Sequence, residues 1–346
     1  MLFYFLFEAV LIPMYLLLGS CGSRERKVRA SYLLFLYTLV SSFFMFIAIL
    51  YIYFTLGTTD YQLLKTFQLE FNTERFCWLA FFLSFAVKMP LVPFHTWLPE
   101  AHCEAPTSGS VILAGILLKL GGYGFIRFSI GLFPDASSFF TPFVFTTSVF
   151  GVLYASFTTL QQVDLKKIIA YSSVAHMGLV TVGIFSGNSQ SFLGSVFLMV
   201  SHGIVTGALF LFVGLLYERY STRVIKYYGG LAYTMPLFSS CFILFILANI
   251  GVPASSNFIS EFLILVGCFQ TNSLATLFSA TGLVLSASYS LWFQNRIFFG
   301  NACYLKGLRY FKDASRLEFH IIFPFVIFSS LFGLKPSSLL ELLYIC

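Results

Sequence analysis

The chain has 346 residues, of which 58% are hydrophobic, 19% aromatic and only 10% charged. Its mean hydropathy is +0.87. A soluble domain carries roughly 25% charged residues, so this chain has too little polar surface to cover itself in water. The net charge of +6 sits in loops between apolar runs, where it reads as a topology signal rather than a nucleic-acid footprint. The seven cysteines are scattered without a C-x-x-C pair, so neither an iron–sulfur cluster nor a zinc site is indicated. Isolated thiols in apolar helices behave as small hydrophobes.

The chain opens on an apolar run containing Glu8. It has neither the basic flank of a secretory signal nor the Arg-rich pattern of a transit peptide. Ten membrane-length apolar runs follow one another, at 1–19, 31–56, 77–97, 107–131, 137–161, 167–186, 190–217, 234–268, 273–295 and 318–334. The expected fold is an all-α membrane bundle of about ten transmembrane helices, with the third and eighth interrupted.

Loop charge orients the bundle. The loops after runs one, five, seven and nine hold Arg24, Arg26, Lys27 and Arg29, then Lys166 and Lys167, then Arg219, Arg223 and Lys226, and finally Arg296, Lys306, Arg309, Lys312 and Arg316. With ten spans all these loops fall on one face, which the positive-inside rule assigns to the cytoplasm or matrix. The loop after run three breaks the pattern with Glu100 and Glu104.

Four charges lie well inside the runs: Glu8, Lys88, Lys119 and Glu261. A charge at bilayer depth costs roughly 2.5–3.5 kcal/mol on insertion scales. Such residues face the bundle interior unless they sit near a helix end and snorkel. Lys119 lies near mid-run, where snorkelling does not reach. Lys88 precedes Pro90, Pro93 and Pro99. Each proline removes a backbone donor and clashes one turn back, so no regular helix passes through them. A second interruption at Gly251 and Pro253 precedes Glu261. Broken helices at membrane depth line cavities or lie buried in protein, and paired breaks point to a repeat transporter. His95 lies in the first break, His102 just after it, His176 in run six and His202 in run seven. A helix histidine is usually a packed core residue. A histidine also exchanges protons near neutrality, so His95, His176 and His202 are candidates for a supporting relay.

The motifs carrying these residues are long. KMPLVPFHTWLPEAHCEAP runs from Lys88 to Pro106 and leads to LLKLGGYGFIR ending at Arg127. FEAVLIPM surrounds Glu8, DLKKIIAYSSVAHMG leads to His176, SHG holds His202, and GVPASSNFISEF leads to Glu261. Together they resemble the antiporter-like subunits of respiratory complex I over nearly the whole chain. Glu261 is most like the subunit-4 type, because its relatives place a lysine there.

The resemblance implies an antiporter-like inverted-repeat bundle. Residues 1–131 would form a first repeat, 132–295 a second, and 296–346 a C-terminal loop and last helix. It implies that Glu8 and Lys88 form a carboxylate–lysine pair, that Lys119 is the central lysine, and that Glu261 is the exit-side carboxylate. It implies no cofactor in this chain, since NADH, FMN, Fe–S clusters and ubiquinone belong to other subunits. The implied partners are other membrane-arm subunits, especially the antiporter-like subunits 2 and 5, and lipid. The family fold has about four helices ahead of the glutamate-bearing one, and this chain begins at that helix. The missing part is expected on a separate polypeptide, lost, or replaced by other subunits, while the C-terminus reads as complete. The 45 phenylalanines suit an organelle-encoded protein of the mitochondrial inner membrane better than one of a bacterial plasma membrane. The competing readings are a stand-alone cation/proton antiporter and a structural bridge without a proton path. A haem protein fits poorly, for want of paired histidines at fixed spacing.

Overall fold

The computed structural model describes residues 1–22, 25–67, 69–300 and 312–345. Arg24, Lys306 and Arg309, which the orientation argument uses, lie outside them. The described residues form helices throughout, with a single isolated antiparallel bridge between Asp164 and Val224.

In chain order, α1 (Leu2–Ala9) and α2 (Leu11–Cys21) form the first span, stepped at Val10. The step has a cause in Pro13, which cannot donate to Ala9 four residues back. Next come α3 (Lys27–Leu56), the short α4 (Tyr61–Leu64) and α5 (Phe71–Lys88). In α3, Thr38 and Ser41 hide their hydroxyls by donating to the carbonyls of Leu34 and Thr38, which lets polar side chains lie in an apolar span. Helix α5 stops at Lys88, and the proline-bearing stretch 89–96 leads to α6 (Trp97–Glu104). Pro99 is tolerated because it falls in the first turn of α6.

The next span contains α7 (Thr107–Ile112), a π-helical stretch (Leu113–Leu117), α8 (Leu118–Gly124) and a second π-helical stretch (Phe125–Ile130). It is followed by α9 (Pro134–Leu160), α10 (Leu165–Phe185), α11 (Ser189–Tyr220) and the one-turn α12 (Leu231–Thr234). The second broken segment is α13 (Pro236–Ile250) and α14 (Ser256–Thr271). Gly251 ends α13 in the left-handed region at φ 81°, and Ser255 caps α14 through its hydroxyl. The chain continues with α15 (Ser273–Phe298), α16 (Arg316–Leu334) and α17 (Ser337–Ile345).

Eight of these segments are long and apolar enough to cross a membrane. With α5 and the α13–α14 pair they account for the ten expected spans. Both expected breaks are present: Pro90 and Pro93 lie in the first, Gly251 and Pro253 in the second.

Helix α10 is the core of the bundle, almost wholly buried, with α9, α11 and α14 packed around it. Helices α11 and α14 approach to backbone contact. A Cβ on Gly194 would lie 2.9 Å from the Ser260 carbonyl, and one on Gly267 would lie 2.5 Å from the Ser191 nitrogen. Large apolar side chains such as Phe5, Leu36, Phe150 and Phe269 point outward, as lipid-facing residues do in a membrane.

Three of the loops expected on the basic face, those after spans five, seven and nine, meet there. The Ile225 amide donates to the Val163 carbonyl (3.0 Å), Leu165 to Arg223 (2.9 Å) and Gly230 to Phe299 (3.4 Å). The acidic loop that broke the pattern is explained by its partners: Lys167 pairs with Glu100 at 2.7 Å, and Lys166 donates to the Ala105 carbonyl at 2.7 Å. One expectation needs correction. Lys166 and Arg223, placed in loops by the sequence, are 1% and 0% exposed. Arg223 donates to the Cys103 carbonyl and lies 4.1 Å over the Tyr217 ring. Hydropathy counts charges but cannot see that backbone carbonyls of another loop will receive them.

Candidate proton path

The path is built on the two breaks and on the helices that pass between them. At the first break, Lys88 is the last residue of α5 and is buried. Its ammonium donates to the Phe7 carbonyl at 3.4 Å and lies 4.5 Å over the Phe7 ring. Glu8 lies at the end of α1, beside the step at Val10, with one buried carboxylate oxygen that has no hydrogen-bond partner. The expected ion pair is therefore not closed. No Glu8–Lys88 contact within 4 Å exists among the described residues, although each group lies in the other's electrostatic field. The lysine uses the neighbouring backbone and ring instead.

Between Lys88 and the next span lies a small cavity of about 20 Å³, lined by Thr38, Lys88, Trp97, Leu113 and Leu117 among others. A cavity needs roughly 10–15 Å³ to hold one water, so this one has that capacity.

Lys119 lies in the first turn of α8, just past the first π-helical stretch. Such stretches open the helix ladder, and here the lysine ammonium reaches back to the Ala114 carbonyl inside it. The ammonium also lies 2.9 Å from Nδ1 of His202. Two glycines make this approach possible. A Cβ on Gly203 would lie 3.1 Å from the Gly115 carbonyl and 3.6 Å from the Lys119 Cε, so α11 and the lysine's helix cross with no side chain between them.

From His202 the row continues. Its ring centroid is 5.6 Å from that of His176, tilted by 59°. His176 Nδ1 lies 3.2 Å from Oε1 of Glu261. The two are in ion-pair range without hydrogen-bond alignment, since that oxygen has no hydrogen-bond partner. The other carboxylate oxygen rests against the second break, where a Cβ on Gly251 would lie 2.6 Å from it. Lys119, His202, His176 and Glu261 thus form one polar row through α8, α11, α10 and α14. The 2.9 Å Lys119–His202 contact is within direct proton-transfer reach, and the 3.2 Å His176–Glu261 contact comes within it once the carboxylate turns into line. The step between the two rings needs a ring rotation or one bridging water.

His95 does not join this row. It lies in the first break with its ring edge-on to Tyr154 (5.4 Å) and Tyr171 (6.2 Å). Three further polar residues do border the row. His102 is fully buried, stacked on Phe210 at 4.4 Å, with neither ring nitrogen hydrogen-bonded. It is close enough to Lys119, Lys166 and His202 for their charges to act on it. Tyr289 on α15 is buried beside Glu261 and Ser172. Asn257, one turn before Glu261, keeps both side-chain polar atoms buried and unpaired. His102 is one of the histidines noted at the first break, whereas Tyr289 and Asn257 have no signal in composition or spacing. Only unsatisfied hydrogen-bonding capacity in the fold marks them, because a buried polar group without a partner is costly.

Residues 1–287 match the family described as NADH:quinone oxidoreductase/Mrp antiporter, transmembrane. NADH-ubiquinone oxidoreductase chain 4 of Chondrus crispus is 57% identical over 341 residues, covering 99% of this chain and 69% of that one. Its counterpart in Marchantia polymorpha is 56% identical, with the same coverage of each. A chain in the structure of respiratory complex I from Thermus thermophilus with bound NADH superposes with a TM-score of 0.91 at 33% identity, over 97% of this chain and 71% of that one. A chain of the Mrp complex from Dietzia sp. DQ12-45-1b superposes with a TM-score of 0.87 over 98% of this chain and 72% of that one; at 20% identity this shows a shared fold. The chain therefore belongs to the transmembrane family of NADH:quinone oxidoreductase and Mrp antiporter subunits.

Proposed function

We propose that this chain is a proton-translocating membrane-arm subunit of an NADH:ubiquinone oxidoreductase in the mitochondrial inner membrane. Protons move through Glu8, Lys88, Lys119, His202, His176 and Glu261. The reading rests on one observation above all: the buried row from Lys119 through two histidines to Glu261. The relatives named as chain 4 of that enzyme support it. On this reading NADH, FMN, Fe–S clusters and ubiquinone are bound by other subunits. The flanking partners are the antiporter-like subunits 2 and 5, with lipid around the apolar faces.

Charge coupling drives the steps. Unit charges 4 Å apart interact by roughly 4 kcal/mol at an effective dielectric near 20. Closing or opening the Glu8–Lys88 pair therefore changes the proton affinity of the lysine about a thousand-fold. Lys88 passes its proton across the small cavity toward Lys119. Lys119 hands it to His202, and the His176–Glu261 pair receives it at the second break. The test is Lys119→Ala in the assembled enzyme in sealed liposomes. Proton pumping should fall by more than about ten-fold while NADH-driven quinone reduction with an uncoupler persists. Normal pumping in that variant would reject the relay.

A further inference from the structure

Helix α13 begins without a cap of its own. The position before it is Met235, which offers no side-chain acceptor, and Pro236 opens the helix. The exposed amides of its first turn are taken by a residue far along the chain. Asp313 accepts from the Leu237 amide through Oδ2 and from the Phe238 amide through Oδ1, each at 3.0 Å. Asp313 is itself held. Its Oδ1 accepts from the Ala314 amide at 2.7 Å, and Arg219 at the end of α11 donates to the Lys312 and Asp313 carbonyls and to the Glu318 carboxylate. Ser315 and Glu318 then start α16 with a reciprocal capping box.

The far end of α16 returns to the second break, beside the start of α14. A Cβ on Gly333 would lie 2.0 Å from the Ala254 carbonyl oxygen and 2.8 Å from the Ser255 carbonyl carbon. The two backbones are in contact at the second break, where Ala254 holds φ 76°. Between these ends α16 buries only Ile322 and Gly333, so it contributes little to the core.

We propose that residues 312–334 act as a strut that holds the start of α13 through Asp313 and the second break through Gly333, and so positions Gly251 and the Glu261–His176 contact. The claim about proton transfer rests on the relay reading above. The claim about geometry does not. Glu261 is held against Gly251, so a shift of α13 relative to α14 changes where the carboxylate meets the histidine.

The experiment uses the assembled enzyme in sealed liposomes with Asp313→Ala, Gly333→Val, the milder Asp313→Asn, and Lys119→Ala as reference. Spin labels at Ser240→Cys on α13 and Phe262→Cys on α14, both exposed sites, report the separation of the two half-helices. The strut predicts a shifted or broadened distance distribution in Asp313→Ala and Gly333→Val, with Asp313→Asn intermediate because it keeps one carbonyl acceptor. Protons pumped per NADH should fall about ten-fold with a displaced pH profile, while uncoupled quinone reduction persists. An unchanged distance distribution in both variants overturns the strut, whatever pumping does. A shifted distance with normal pumping, alongside a dead Lys119→Ala, overturns its link to the relay. Normal pumping in Lys119→Ala instead rejects the relay and leaves the distances to judge the strut.

Discussion

Gly251 serves two needs with one missing atom. Its φ of 81° is a conformation L-residues adopt at a cost of roughly 1–2 kcal/mol. A Cβ there would also lie 2.6 Å from the Glu261 carboxylate. Gly251→Ala should therefore push the carboxylate off His176 while leaving the ends of α13 and α14 capped. The expected result is an assembled enzyme whose uncoupled quinone reduction is near normal and whose proton pumping is reduced at least about ten-fold. Pumping at the wild-type ratio would show that the Glu261–His176 contact is dispensable. At this scale much was readable in the sequence. Glu8, Lys88, Lys119 and Glu261 stood out because a charge in an apolar run needs a partner or water. What could not be read was who meets whom. The Lys119–His202 contact depends on Gly115 and Gly203 letting two helices touch, and Lys88 turned to a backbone carbonyl and an aromatic ring instead of Glu8.

Elements were legible where backbone chemistry forces them. Proline and glycine announced both breaks, because no side-chain packing restores a lost amide donor. The π-helical stretches around Lys119 were not legible, since they arise from how the helix is packed rather than from residue type. Nor was the cap of α13, which comes from 75 residues further on. That cap has a pH signature. Burial works against the charge on Asp313, but amides of Phe238, Leu237 and Ala314, together with Arg219, outweigh it and hold the carboxyl below the usual aspartate range. A carboxylate with a depressed folded-state pKa contributes stability above its unfolded value, about 3.9. That contribution disappears as pH falls through the folded value. Hydrogen-exchange protection at Leu237 and Phe238 should therefore hold from neutrality to roughly pH 4, and collapse only in stronger acid. Asp313→Asn should remove the acid step. A step that survived in that variant would assign it to another group.

At the scale of the whole molecule, the direction of every span is set by which loops share a face. The count of ten spans predicts that the loops after spans one, five, seven and nine lie together, and the hydrogen bonds joining 163 to 225, 165 to 223 and 230 to 299 agree for the last three. The loop after span one joins that face less directly, with Leu17 of α2 against Gly109 of α7 and Thr107 of α7 donating to Glu218 at the end of α11 (3.3 Å), so it is the one to test. Cys21, at the end of α2, is exposed, whereas Cys77, Cys103 and Cys268 are buried. A membrane-impermeant maleimide should therefore modify Cys21 in submitochondrial particles, whose matrix face is outward. It should leave Cys21 unmodified in intact mitoplasts, with the labelled peptide identified by mass and absent in Cys21→Ser. Modification from the mitoplast side would put that loop opposite the basic cluster. The first span would then run the other way, and Glu8 would approach Lys88 from the wrong end of the membrane. The continuity of the proposed path thus depends on a topological parity that a single thiol can check.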